Sequence, residues 1–584
     1  MANAHLNVAA YSTWSEMQGG RRMSVREIVE RFRTFTLETA IGALTRIDFL
    51  LWDADRADSE VQDSIGEGLL GPKDWRTLVG AARRSDPKDV PSGQTRPLIW
   101  FPQLVLNAVK VAFLECPAAL GGEPPDLKDL AIGILGLSDY IAPAIPEPRT
   151  PEADRMLRHQ LIVNGVFNEN ERELTLLPLG RRIYLDEHAD LRSNGAYVNF
   201  AKLLERAIKL DRDTLLSIGT AVSAYWRTRD KAKFHLGVEP LRLTKYLSTT
   251  RITSDQVEAF LRVTARTPDA MQEAIRKQYA VDDLKPFSFV SIAQTPIVSI
   301  DGRQYCLSFK LLTRRLSTDL HYFFVQFLGE DEKQKYFGFH GIVFEHAVHQ
   351  TFRQCLRRVR RASCSAPLAR YQELDRCDEE RQLPRADAVI VAGDVLIVLD
   401  AKAGRYPAPV FDGDLPVLDE YLEHNLLKAA GQIDATVERL GNGSLVVPHL
   451  NLSRVRRIIP VVVLLQYAGW NPLLATHVAS CLAAKGLLKD PRYTELQVVE
   501  LASLLILADN PQRSDLSLPA LFLQRAENPW FSGNSFHNFL VALGDRLSWR
   551  TPTLRREYRA MLDDAIDYMR PGSSGGGAQR ETAM

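Results

Sequence analysis

The residues best placed to do chemistry lie in "RADAVIVAGDVLIVLDAKAG", residues 385–404, where Asp387, Asp400 and Lys402 stand at the ends of two strongly apolar runs. Gly393-Asp394 between the runs suits a two-residue hairpin turn with glycine first. Ala392 then pairs with Val395, which sets Asp387 directly across from Asp400. Lys402, two residues on, shares the face of Asp400. Opposed β-carbons lie roughly 4.5–5.5 Å apart, so two ionised carboxylates there repel by about 3–4 kcal/mol at an effective dielectric near 20. A divalent cation turns that repulsion into binding. Mg²⁺ favours one or two carboxylates, with its other positions left to water and phosphate oxygens. Lys402 is then set to orient the attacking water and neutralise charge on a phosphate. A slip of one residue would send Asp387 to the other face.

A helix near "GIVFEHAVHQTFRQCLRRV" precedes the strands expected at 386–391 and 395–401. A helix over about 418–440 and a strand "RIIPVVVLLQ" follow. This ordered set resembles the PD-(D/E)xK nuclease superfamily, which includes restriction endonucleases and nuclease-related domains. The likeness rests on Glu345 in "GIVFEHAV", Asp387, Asp400-Ala401-Lys402, and Gln432 in "KAAGQID", and covers about residues 335–470. Pro384 stands three residues before Asp387 rather than beside it, and Asp400 replaces the commoner Glu. The resemblance implies a restriction-endonuclease-like α/β core, a mixed sheet flanked by helices, embedded in a mostly α-helical multidomain chain. It implies hydrolysis of phosphodiester bonds, of DNA more than RNA, by an endodeoxyribonuclease leaving a 5′-phosphate and a 3′-hydroxyl. Mg²⁺ (or Mn²⁺) is expected on Asp387, Asp400 and the Ala401 carbonyl, with Glu345 as a further ligand and Gln432 positioning the water or phosphate. A nuclease fold without turnover, serving as a nucleic-acid-binding or scaffold module, is the rival. By analogy alone, a helical sensor fused to such a nuclease suits bacterial defence against phage, alone, as a homo-oligomer or with a partner protein.

Lys+Arg and Asp+Glu both number 72, so the formal net charge is zero and a polyanion needs a local patch. Residues 350–370 carry six Arg and no acid, and Arg353, Arg357, Arg358, Arg360 and Arg361 are the candidate phosphate contacts. The acids of "YQELDRCDEE" just after them are expected to neutralise some within the fold. Glu345 and His349 share a helix face, but no H-E-x-x-H order accompanies them, so a zinc hydrolase is not expected. "GEGLLG" at 66–71 follows acidic residues instead of a strand, which argues against a dinucleotide loop.

At 584 residues, two to four domains are expected. Residues 1–285 read as two or three helical lobes, 286–334 as a hairpin and helical connector, 335–470 as the nuclease-like domain, 471–570 as helical, and 571–584 as a disordered tail. No apolar run spans a bilayer, no signal-like N-terminus is evident, and the six cysteines lack a C-x-x-C pair, so a cytoplasmic protein without membrane partners is expected.

Overall fold

A computed structural model of the chain describes residues 12–52, 58–85, 98–119, 126–141, 150–168, 173–227, 240–280, 283, 285–360, 369–374, 384–465, 469–509, 517–543 and 551–570. Within them the chain is mostly helical and holds two small mixed sheets. The expected tail at 571–584 lies outside the described residues.

The N-terminal helices open as their sequence dictates. Ser24 and Glu27 form a reciprocal capping box ahead of the Val25–Phe32 helix, whose Ile28, Val29 and Phe32 turn inward. One core joins residues between Met17 and Ile141 to Met271, Ile275, Val298, Tyr305 and Leu311. The hairpin at 297–306 therefore packs with the N-terminal lobe, across the boundary drawn at 285 from sequence. It builds the first sheet: β1 (Ala265–Arg266) runs parallel to β2 (Ile297–Ile300), which pairs antiparallel with β3 (Arg303–Cys306). Asp301 and Gly302 both have positive φ, 48° and 74°, as a primed two-residue turn requires. "GEGLLG" ends the Asp58–Leu70 helix, with Trp75 packed over Gly66, and cradles no phosphate loop.

The second sheet runs in chain order through β4 (Arg370–Glu373), β5 (Ala388–Ala392), β6 (Val395–Lys402), β7 (Arg457–Leu464) and β8 (Gln497–Glu500). β4, β5 and β6 form an antiparallel meander; β6, β7 and β8 are parallel. Both faces are covered, which is why β5, β6 and β7 read as near-continuous apolar runs. Ile390, Ile397, Leu399, Val461 and Val499 enter one core with the Glu330–Arg360 helix. Val389, Leu396, Val398, Val462 and Val498 enter another with the Lys428–Gly441 helix.

Two strands escape the sequence reading. β4 is a polar edge strand, "RYQE", with no apolar alternation to betray it. β8 is four residues between helices, inside the stretch read as wholly helical. Residues 471–570 are thus not a separate helical appendage. They complete the sheet, and the Leu501–Asp509 helix packs on the Glu330–Arg360 helix.

Candidate active site

Hydrophobic burial fixes where the polar groups emerge. Val395 to Leu399 are buried, and Asp400 follows with none of its surface exposed. Asp400 and Lys402 end β6 at its C-terminal edge, beside the parallel strand β7, and ligands of open α/β sheets bind at such carboxyl ends.

The hairpin register is the expected one, Ala392 with Val395 through Ala388 with Leu399. It does not continue to Asp387. The Asp387 N–H donates to Leu399 O at 2.9 Å, the carbonyl of the residue already paired with Ala388. The Ala401 N–H donates to the Asp387 carboxylate, Oδ2, at 2.6 Å. This bulge-like step replaces a ladder bond with a side-chain bond, and it corrects the expectation of two carboxylates directly opposed across the ladder. Such steps re-aim side chains beside functional sites. Asp387 nevertheless faces Asp400 electrostatically. Burial first, then the charges of Asp400 and Glu345, push its carboxyl well above the usual range. Burial lifts Asp400 to about 6, against the pull of Lys402 and Lys428, with Glu345 adding to the rise.

The remaining groups come from the helices on either face. Lys402 Nζ lies 2.6 Å from Asp400 Oδ2 and donates to Gln432 Oε1, also at 2.6 Å. Gln432 Nε2 in turn donates to Arg385 O at 3.2 Å, tying the helix to the chain entering β5. Lys428, one turn before Gln432, stands at the exposed end of a π-helical turn, Glu423–Leu427; such turns cluster at functional sites. From the other face Glu345 Oε1 meets His349 Nε2 at 3.1 Å, and His349 Nδ1 bonds the Tyr371 hydroxyl. Tyr371 stays protonated, since burial raises its pKa.

Glu345, Asp387, Asp400, Lys402 and Gln432 therefore belong to one constellation. His349, weighed from sequence only as a zinc ligand, joins it, as do Tyr371 and Lys428, which were not foreseen. His349 was visible four residues after Glu345 and Lys428 four before Gln432, the spacing of helix neighbours. Tyr371 gave no signal, because β4 itself gave none.

The donor set fits a hard cation. Asp400 Oδ1 is buried without a hydrogen-bond partner, and Oδ2 has only the Lys402 ammonium at ion-pair distance. Among the described residues no group of three or more His, Cys, Asp or Glu is arranged to hold a metal ion. Two carboxylates and a carbonyl suit Mg²⁺, which keeps several waters, better than a metal that demands an all-protein cage.

Where the basic stretch is described, one of the acids that follow it neutralises an arginine within the fold. Arg353 is paired with Glu373 and lies 5.6 Å from the Tyr371 ring, so its charge is used inside the fold. The helix runs to Arg360, but the side chains of Arg357, Arg358 and Arg360, and all of Arg361, lie outside the described residues. No described helix is long and apolar enough to cross a membrane. Comparison with protein-family models, with curated proteins and with solved structures finds no match to this chain.

Proposed function

We propose that the chain is a metal-dependent nuclease that hydrolyses phosphodiester bonds, of DNA in preference to RNA. The observation that carries this reading is Asp400: a fully buried carboxylate with one unpartnered oxygen, beside a second carboxylate, a lysine and a glutamine. Its support is the order of elements around that group, helix, antiparallel meander, helix and parallel strand, which is the order the superfamily resemblance implies.

Asp387, Asp400 and the Ala401 carbonyl would hold Mg²⁺ or Mn²⁺, with Glu345 reaching it directly or through water. When bound, the ion supplies Lewis-acid polarisation of the phosphate and a more acidic water. Lys402, released from Asp400, keeps its bond to Gln432 and so stays aimed at the site. There it orients the water and offsets charge developing on the phosphate. His349 and Tyr371 hold Glu345 in one rotamer. Lys428 adds a cation at the solvent side, where a phosphate would approach. Incubation of the purified chain with supercoiled, linear and single-stranded DNA, and with RNA, in Mg²⁺ and in EDTA tests the reading. Cleavage confined to Mg²⁺ is the expected result.

A second reading has its own observation. Lys402 already sits as counter-ion to Asp400, as it would in a nuclease-like module that binds nucleic acid without turnover. Such a module need not bind Mg²⁺ at Asp387 and Asp400, so a Mg²⁺ titration of the DNA-free chain separates the two.

A further inference from the structure

A cavity of about 150 Å³ lies between the connector and the segment that follows β6. Phe287, Phe289 and Phe411 supply apolar walls, while Arg314, Arg315 and Asp319 supply charge. Asp319 is shared by Arg405, at 2.6 Å, and Arg314, at 3.5 Å. Arg315 is buried, 8% exposed, yet among the described residues it forms no ion pair. Its Nε and Nη2 make two long bonds, each 3.4 Å, to Val263 O, and its guanidinium lies 4.9 Å from the Phe323 ring. Burial, with the Arg266 charge nearby, lowers its pKa to about 10 against the pull of Asp319.

A buried guanidinium without a carboxylate is costly unless something else satisfies it. The cavity is about the size that accommodates one benzene ring, and the guanidinium fork matches a carboxylate or phosphate. We propose that this cavity binds a small anion carrying a single flat apolar ring, with Arg315 pairing its charge and the phenylalanines enclosing the ring. The proposal is independent of the nuclease reading. Neither Asp387 nor Asp400 takes part.

Calorimetric titration of the full chain in EDTA tests it, with benzoate and phenyl phosphate as separate probes. EDTA prevents any metal at the carboxylates from recruiting them. The expected result is saturable one-site binding of at least one probe. Phenol and inorganic phosphate, each carrying half of the recognised features, should bind roughly tenfold or more weakly, the worth of one charge-assisted hydrogen bond. Arg315→Gln should weaken the bound probe by a similar factor. Where that variant fails to fold, Ala408→Phe decides, because it fills the cavity from an exposed position on another element. Failure of both probes to bind overturns the proposal, as does binding unchanged in Arg315→Gln and Ala408→Phe.

Discussion

Replacing Asp400 by asparagine should stabilise the metal-free protein at neutral pH. Burial and neighbouring negative charge lift the Asp400 carboxyl from 3.8 to about 6 in the folded chain. Between those values the folded state binds more protons than the unfolded one. Stability is therefore fully retained below about pH 4 and lost as pH climbs to about 6 and stays lost above it. Two pKa units correspond to about 3 kcal/mol. That figure already includes the help Asp400 receives from Lys402, so loss of the ion pair does not reverse the sign. Asp387 moves in the same direction. Glu500 and Asp48, each lifted to about 7 by burial, add pH dependence of their own. The informative quantity is thus the difference between wild type and Asp400→Asn. Thermal unfolding in EDTA at pH 4 and pH 8 measures it. The variant should match wild type at pH 4 and exceed it at pH 8. A lower midpoint than wild type at pH 8, with an unchanged pH dependence, would refute the electrostatic account of this site.

Lys402→Ala should cut the cleavage rate roughly 10²–10³-fold, the worth of one charge stabiliser at a reacting phosphate, while Mg²⁺ affinity by calorimetry holds or improves. Tyr371→Phe removes the bond that orients His349, so kcat should fall several-fold with little change in KM, in a steady-state assay. Arg353→Gln should lower the thermal midpoint, because it removes the partly buried Arg353–Glu373 ion pair, yet leave the salt dependence of DNA binding untouched. By contrast, the quadruple change of Arg357, Arg358, Arg360 and Arg361 to Gln should flatten that dependence by roughly 0.9 in log–log slope per lost duplex phosphate contact.

The apolar runs around Asp387 and Asp400 make the hairpin and its register legible from sequence alone. Side-chain period and a glycine-first turn leave few alternatives. The same runs announce a sheet buried on both faces. What they hide is the break at Asp387, where a carboxylate takes a backbone N–H that the ladder would have used; no pattern of residue types encodes that exchange. β4 and β8 were invisible for different reasons. An edge strand needs no apolar face, and a four-residue strand is too short to show a period. That the acids after the arginine stretch would neutralise some of it was legible from composition, but not that Arg353 would be the one paired, with Glu373 on β4. His349 and Lys428 sat at readable helical spacings, but only the fold gives those spacings a direction.

The most direct test of the central claim is cleavage of supercoiled DNA by wild type and Asp400→Asn side by side, with Mg²⁺. Wild type should nick and linearise the plasmid in Mg²⁺ and not in EDTA, while the folded variant should leave it intact. Equal cleavage by both proteins would contradict the assignment of Asp400 and remove the site built around it.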